Sequence, residues 1–127
     1  MARFKRHFTV KEANDLLPTV REILQRLQLQ GVALAASWEG VVPALQAAPH
    51  NGGSAAAADY LRALNRFNLQ LRRLGALGIL LKDVERGLVD FPHLRDGEEV
   101  FLCYELSEER VAFWHRIDSG YASRRAL

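Results

Sequence analysis

The chain has 127 residues, of which 49% are hydrophobic and 25% charged, and this composition favours one globular domain over 1–127 and excludes an intrinsically disordered protein. Its single cysteine, Cys103, excludes a disulfide-bonded secreted scaffold and indicates a cytoplasmic protein, and no apolar run approaches the roughly 18 residues of a membrane span. The net charge of +2 is only a weak signal for nucleic-acid binding, so we do not expect nucleic acid among the partners. Without a membrane span, we do not expect a membrane among them either.

The first predicted helix begins near Val10. Thr9 and Glu12 form a capping-box pattern, in which each side chain satisfies a free backbone N–H group at a helix start. Its apolar stripe consists of Ala13, Leu16, Val20, Ile23 and Leu27. Pro18 predicts a kink, or a short first helix followed by a second, and Pro43 predicts that the helix does not continue unbroken through that position.

A turn-forming cluster from Ala48 to Ser54 precedes the second predicted helix, with Ser54 suited to its N-cap and Gly75 or Gly78 to its end. The apolar stripe consists of Tyr60, Leu64, Phe67, Leu71 and Leu74. The opposite face carries Arg62, Arg66, Arg72 and Arg73 with Asn65, Asn68 and Gln70. We interpret that face as solvated; the alternative is a patch that binds an anionic partner. Two such stripes joined by a loop predict an antiparallel helical hairpin.

The periodicity becomes strand-like after Gly78. Short strands are predicted at 79–84, 88–91, 99–105 and 110–117, with Glu85-Arg-Gly87 and the segment from His93 to Glu98 as turns. On the last strand, alternation places Val111, Phe113 and His115 on one face. The predicted fold is therefore α+β, with a helical hairpin over about 9–77 packed on a three- to four-stranded antiparallel meander over about 79–117, followed by a tail at 118–127.

Several short motifs occur in an order that is found in a known family. They are Lys82-Asp83, Gly87-Leu-Val-Asp-Phe-Pro92, Leu102-Cys-Tyr104, Trp114-His115, Gly120 through Arg124 and, in the helical part, Phe8 through Pro18. On these residues the chain resembles a bacterial family catalogued as domain of unknown function family 2203, from Phe8 to its last residue. Tyr104 departs from the tryptophan more usual in that family, but another aromatic ring keeps the packing plausible. The resemblance implies a small bacterial protein and supplies no activity, substrate or catalytic residue.

A candidate polar cluster consists of Lys82, Asp83, Asp90, His115 and Arg124. A carboxylate that holds one imidazole nitrogen leaves the other free to move a proton, which is the minimal arrangement for acid–base catalysis. The alternative is structural: the carboxylates brace the turn, and Arg124 forks onto Asp83 or Asp90. We favour the structural role for Asp83 and the functional one for Asp90 with His115. No nucleophile motif or phosphate-binding loop accompanies them, so the catalytic residues are unknown.

Asp90, Cys103, His115 and Asp118 are of the residue types that bind transition metals. Their spacing matches no metal-binding motif, and a lone buried cysteine is usually a small apolar residue. We therefore expect no cofactor and no metal, and keep these four residues as the candidates should a metal be present.

The function that these patterns favour is a non-enzymatic binding or interaction module that self-associates as a homodimer. Two long amphipathic helices and a small sheet have limited means of burying both of their faces within one chain. The alternative is a small enzyme centred on His115, with a metal as an optional cofactor. A third hypothesis is weak nucleic-acid binding through the arginine face of the second helix, although no recognised motif supports it. The small-molecule or protein partner stays unidentified.

Overall fold

The computed structural model describes residues 2–47 and 53–127, so most of the turn predicted from Ala48 to Ser54 lies outside the described residues. The helices are α1 (Val10–Asp15), α2 (Leu17–Ala47) and α3 (Gly53–Ala76). The strands are β1 (Leu80–Asp83), β2 (Leu88–Arg95), β3 (Glu98–Glu105), β4 (Phe113–Arg116) and β5 (Arg125–Ala126). The strands pair in chain order as an antiparallel meander, and α2 and α3 form a hairpin. The predicted α+β class is confirmed, but the sheet has five strands rather than three or four.

The start of the helical part follows the sequence pattern closely. The Glu12 backbone N–H donates to the Thr9 hydroxyl (3.0 Å) and the Thr9 N–H donates to the Glu12 carboxylate (2.9 Å), which completes the capping box. The chain leaves helical pairing at Leu16, and Pro18 lies in the first turn of α2, where its missing N–H is not needed. Of the two outcomes predicted for Pro18, the short helix followed by a second one is therefore confirmed.

Two details of the helices differ from prediction. Helix α2 continues through Pro43 to Ala47, so the predicted break is wrong; Pro43 is exposed and close to the helix end, where water can bind the carbonyl that loses its partner. Helix α3 begins at Gly53, one residue before the predicted cap at Ser54. The predicted stop at Gly78 is confirmed by its φ of 85°, a left-handed conformation that favours glycine.

The strand bounds also shift, because β2 extends to Arg95 and reduces the predicted loop at 93–98 to a two-residue hairpin. Asp96 and Gly97 have positive φ angles of 52° and 81°, as tight antiparallel hairpins require. At the preceding turn, Gly87 has a φ of 63° and lies against Leu106, so a Cβ there would come within 2.6 Å of that side chain. These short turns fix the register of β2 between β1 and β3.

The sheet has one face packed against the helices. That face contributes Val89, Phe91, Leu102, Tyr104 and Trp114 to a core with Leu17, Val20, Ile23, Leu24, Leu27 and Leu74 of the helices. The Arg21 side chain donates to the Tyr104 hydroxyl (2.9 Å) and so ties α2 to β3. Because side chains alternate along a strand, the intervening residues project from the opposite side, which we call the outer face.

Both ends of the described chain lie along the sheet. The Phe8 N–H donates to the Pro92 carbonyl (2.7 Å), and the Leu127 N–H donates to the Ala112 carbonyl (2.9 Å). Strand β5 pairs with β4, so the tail is tied to the sheet rather than frayed. No helix among the described residues has the length and apolar character needed to cross a membrane.

Candidate functional site

Three side chains with metal-binding or acid–base chemistry meet on the outer face of the sheet. Asp90 on β2 is directly opposite Cys103 on β3, and His115 on β4 is opposite Phe101, two residues along β3 on the same face. A carboxylate oxygen, the thiol sulfur and an imidazole nitrogen all lie within 4.8 Å of one another, and all three residues are buried. We call this group the Asp-Cys-His cluster. Neighbouring strands in register therefore bring together residues that are 12 to 25 positions apart.

Both ring nitrogens of His115 are engaged within the protein. Nδ1 lies 2.8 Å from the Arg116 carbonyl oxygen, which can only accept, so Nδ1 carries a proton and donates it. Nε2 lies 3.0 Å and 3.1 Å from the two carboxylate oxygens of Asp90. The acid–base arrangement considered from the sequence needs a ring nitrogen that is free for substrate. His115 presents no such nitrogen in this conformation.

Burial raises the pKa of Asp90 above its ordinary value, because the charged carboxylate loses its hydration. The charges of His115 and Lys82 and hydrogen bonds from His115 and Cys103 oppose this rise. Lys82 Nζ lies 4.0 Å from a carboxylate oxygen, and the Lys82 side chain is exposed. Lys82 thus marks the side on which the cluster approaches solvent.

The Cys103 thiol is held in its protonated form. Burial raises its pKa to about 11, and the neighbouring Asp90 charge adds to this rise, while Arg124 opposes it from 3.9 Å. A thiolate is the reactive form of cysteine, so the metal-free thiol is a poor nucleophile at neutral pH.

Arg124 closes the cluster on the side of the tail. Its guanidinium donates to both carboxylate oxygens of Glu108, at 3.0 Å and 2.8 Å, and it stacks on the rings of Phe113 and Tyr121. The hypothesis that it forks onto Asp83 or Asp90 is therefore wrong. Glu108 was missed because it lies in the loop after β3, where no sequence pattern distinguishes it from an ordinary solvated carboxylate.

The other candidates lie apart from the cluster. Asp83 accepts a hydrogen bond from the Arg86 backbone (3.1 Å) and closes the β1–β2 turn, as the structural interpretation predicted. Asp118 is exposed and lines a groove with Arg3 and Glu98 instead. Of the four metal candidates, the structure brings three together and leaves Asp118 out.

A cavity of about 220 Å³ lies beside the Asp-Cys-His cluster. The three cluster residues line it together with Lys82 and the turn at 119–121. The first two residues of the family-like stretch, Gly120 and Tyr121, therefore line the cavity. The sequence indicated that this stretch mattered, but it did not indicate which strands the stretch would cover.

The arginine face of α3 is only partly the solvated face predicted. Arg62 pairs with Asp59, while Arg73 lies 3.6 Å from Glu22 of α2. Gln70 is buried and accepts from Arg73 (2.8 Å), so its assignment to the solvated face is wrong.

A second candidate surface lies on the part of α2 beyond the sheet. The core includes residues of α2 as far as Leu27. Among the described side chains of α2 that follow Leu27, Val41 alone is buried. Leu29 and Val32 are 74% and 73% exposed. They share one exposed side of the helix with small residues, and we call this side the apolar α2 face: Leu29, Val32, Ala33, Ala36, Gly40 and Pro43.

Comparison with family models agrees with the family resemblance that the sequence motifs carry. A family model described as "Uncharacterized conserved protein (DUF2203)" matches residues 6–127. The chain matches no curated protein and no solved structure. The matched range includes every helix and strand, the Asp-Cys-His cluster and Arg124. The chain therefore belongs to the DUF2203 family, as the resemblance of its motifs predicted.

Proposed function

We propose that the protein is a non-enzymatic interaction module that forms a homodimer through the apolar α2 face. The observation that carries the proposal is the exposure of Leu29 and Val32, at 74% and 73%, on a helix side with no other large group over them. Burying one such side chain contributes about 1.5–3 kcal/mol. A long helix that leaves two such side chains in water, in a row with small apolar residues, has a surface suited to a partner.

The spacing of the apolar α2 face is that of a helix–helix seam. Leu29, Ala33, Ala36, Gly40 and Pro43 alternate at spacings of four and three residues, and Val32 lies beside them. This alternation keeps the row on one side of the helix over several turns. Small side chains in the row let a second helix approach closely. Glu39 is the one charged residue between Leu29 and Pro43.

The face is complementary to itself when two copies run antiparallel. A two-fold axis at Ala36 sets Val32 of one copy opposite Gly40 of the other, and Leu29 opposite Pro43. The larger side chains, Val32 and Leu29, then meet the smaller Gly40 and Pro43, so the face is self-complementary as an isologous interface requires. Glu39 meets Ala33 of the partner, so the axis places no like charges opposite each other. This match favours a second copy over an unrelated partner.

The expected dimer is reversible. The seam spans about 22 Å of helix, calculated at 1.5 Å per residue. Two helices in contact over that length give an interface at the small end of the range for specific complexes. We expect a dissociation constant in the micromolar range.

A cytoplasmic location suits this proposal, since the one cysteine of the sequence is a free thiol.

Sedimentation over a range of protein concentrations tests the proposal. The mass should rise from 14.3 kDa toward twice that value as concentration increases. Val32→Glu should remain at the monomer mass, because it sets a charge against Gly40 of the partner. Leu69→Glu is the matched control: Leu69 is also exposed, but it lies on α3. A wild-type mass that stays near 14.3 kDa, or a loss of dimer in the control alone, would refute the proposal.

A further inference from the structure

The contact between His115 and Asp90 is incomplete as it stands. Because Nδ1 of His115 uses its proton on the Arg116 carbonyl, a neutral ring would direct a lone pair from Nε2 toward Asp90, and only a second ring proton makes that contact a hydrogen bond. The carboxylate oxygens at 3.0 Å and 3.1 Å also present lone pairs. Two sets of lone pairs at this distance repel unless a proton or a metal cation lies between them.

The third member of the cluster favours the metal cation. Cys103 brings its sulfur within 4.8 Å of a ring nitrogen of His115 and a carboxylate oxygen of Asp90, although a shared proton needs no sulfur ligand. Imidazole, thiolate and carboxylate together are a ligand set that suits zinc. The backbone carbonyl that holds the other ring nitrogen of His115 is the usual outer partner of a metal-binding histidine.

We propose that Asp90, Cys103 and His115 bind one divalent transition metal ion, with zinc the best fit. On binding, the Cys103 S–H bond breaks, its proton passes to water and a metal–sulfur bond forms. The ion carries two positive charges, which the thiolate and the carboxylate neutralise. The buried group is thereby left without net charge.

The distances are compatible with this assignment. Ligand atoms around a tetrahedral zinc ion are about 3.5 Å apart, given bonds of about 2.0–2.3 Å. The nitrogen–oxygen separation is already close to that value, and atoms within 4.8 Å need to move by roughly 1 Å or less. Three protein ligands leave a fourth position, and the cavity of about 220 Å³ beside the cluster gives room there for water or a small ligand.

Titration of metal-free protein with Co²⁺ tests the proposal, because a cobalt–thiolate bond produces an intense near-ultraviolet absorption band. The band should saturate at one equivalent and disappear on addition of Zn²⁺. Cys103→Ser should abolish the band. Asp90→Asn and His115→Gln should each weaken binding by at least about tenfold.

Two variants serve as matched controls. His93→Gln changes another histidine of the same sheet, whose Nδ1 bonds to the Phe8 carbonyl, and Asp118→Asn changes the metal candidate that lies outside the cluster. Both should keep the full band. Cys103→Ser differs from the wild type by one atom, so it decides the question even if another cluster variant fails to fold. A band that survives in Cys103→Ser, or wild-type protein that binds well under one equivalent, would overturn the proposal.

Discussion

The outer face of the sheet and the apolar α2 face differ in which side chains they bury and which they expose. The sheet buries charged and polar side chains that lie against one another: His115 against Asp90, and Arg124 against Glu108. The helix exposes apolar side chains, and Leu29 and Val32 have no partner within the described residues. The difference shows that one chain can hold polar groups against one another in a buried region and leave an apolar region exposed to a second molecule. Substitutions in the two regions should therefore differ in how much they change stability and in whether they change stability or dimerisation.

The largest effect is expected at His115 in metal-free protein. Without a metal, a proton must lie between Nε2 of His115 and the Asp90 carboxylate, so His115→Ala leaves a buried carboxylate unpaired, which costs about 3–5 kcal/mol. Asp90→Asn should cost little or nothing, because the new amide can donate to the lone pair on Nε2 of His115. Chemical denaturation of both variants measures the contrast. Equal, large losses in both would show that the Asp90 charge itself braces the sheet and is no feature of a binding site.

A smaller, pH-dependent effect is expected where the N-terminal segment meets the sheet. Three hydrogen bonds lower the pKa of Glu99 to about 2. The largest contribution comes from the backbone N–H of Arg3, followed by His7 and then the backbone N–H of Phe4. Since the folded pKa lies below the ordinary value of 4.5, the stabilisation is present above pH 4.5 and is lost as the pH falls toward 2.

Denaturation of Glu99→Gln at several pH values measures this effect. The difference from wild type should be largest near neutral pH and should disappear in acid. Glu98→Gln is the control, because Glu98 is an exposed neighbour that pairs with Arg116 on the surface. If Glu99→Gln differs from wild type by the same amount at every pH, the carboxylate charge is not what holds the N-terminal segment.

The smallest effect on folding is expected on the apolar α2 face. Leu29→Ala should change the free energy of unfolding by no more than about 0.5 kcal/mol at concentrations where the protein is monomeric, since the side chain is exposed. The same substitution at buried Leu24 should cost about 2–5 kcal/mol. Sedimentation should nevertheless show a weaker dimer for Leu29→Ala. A large loss of monomer stability would mean that the face packs within the chain and is unavailable to a partner.

Local patterns predicted much of the fold. The capping box at Thr9, the change of helix at Pro18 and the stop at Gly78 each depend on interactions within a few residues, which a sequence displays directly. The break at Pro43 was predicted by the same reasoning and is wrong, because the cost of a helical proline depends on whether water can bind the freed carbonyl. Strand β5 was missed since two residues give no periodicity.

The site was harder to predict, because it depends on register. Alternation correctly placed Phe113 and His115 on one face, but it wrongly included Val111, which joins the core because β4 begins only at Phe113. Whether Asp90 and Cys103 share that face follows from the length of each turn. A shift of one residue would have turned Asp90 toward the helices. No single-strand pattern contains this information.

The uninterrupted length of α2 sets a distance in the proposed dimer. The core residues of α2 run from Leu17 to Leu27 and are centred at position 22, and the proposed two-fold axis lies at Ala36, fourteen residues further along the helix. At 1.5 Å per residue, two sheets related by that axis lie about 40 Å apart along the shared helices. The dimer would thus present two identical cavities on a rigid spacer. A ligand with two suitably separated groups would bind such a spacer with avidity, whereas a short one would occupy each end independently.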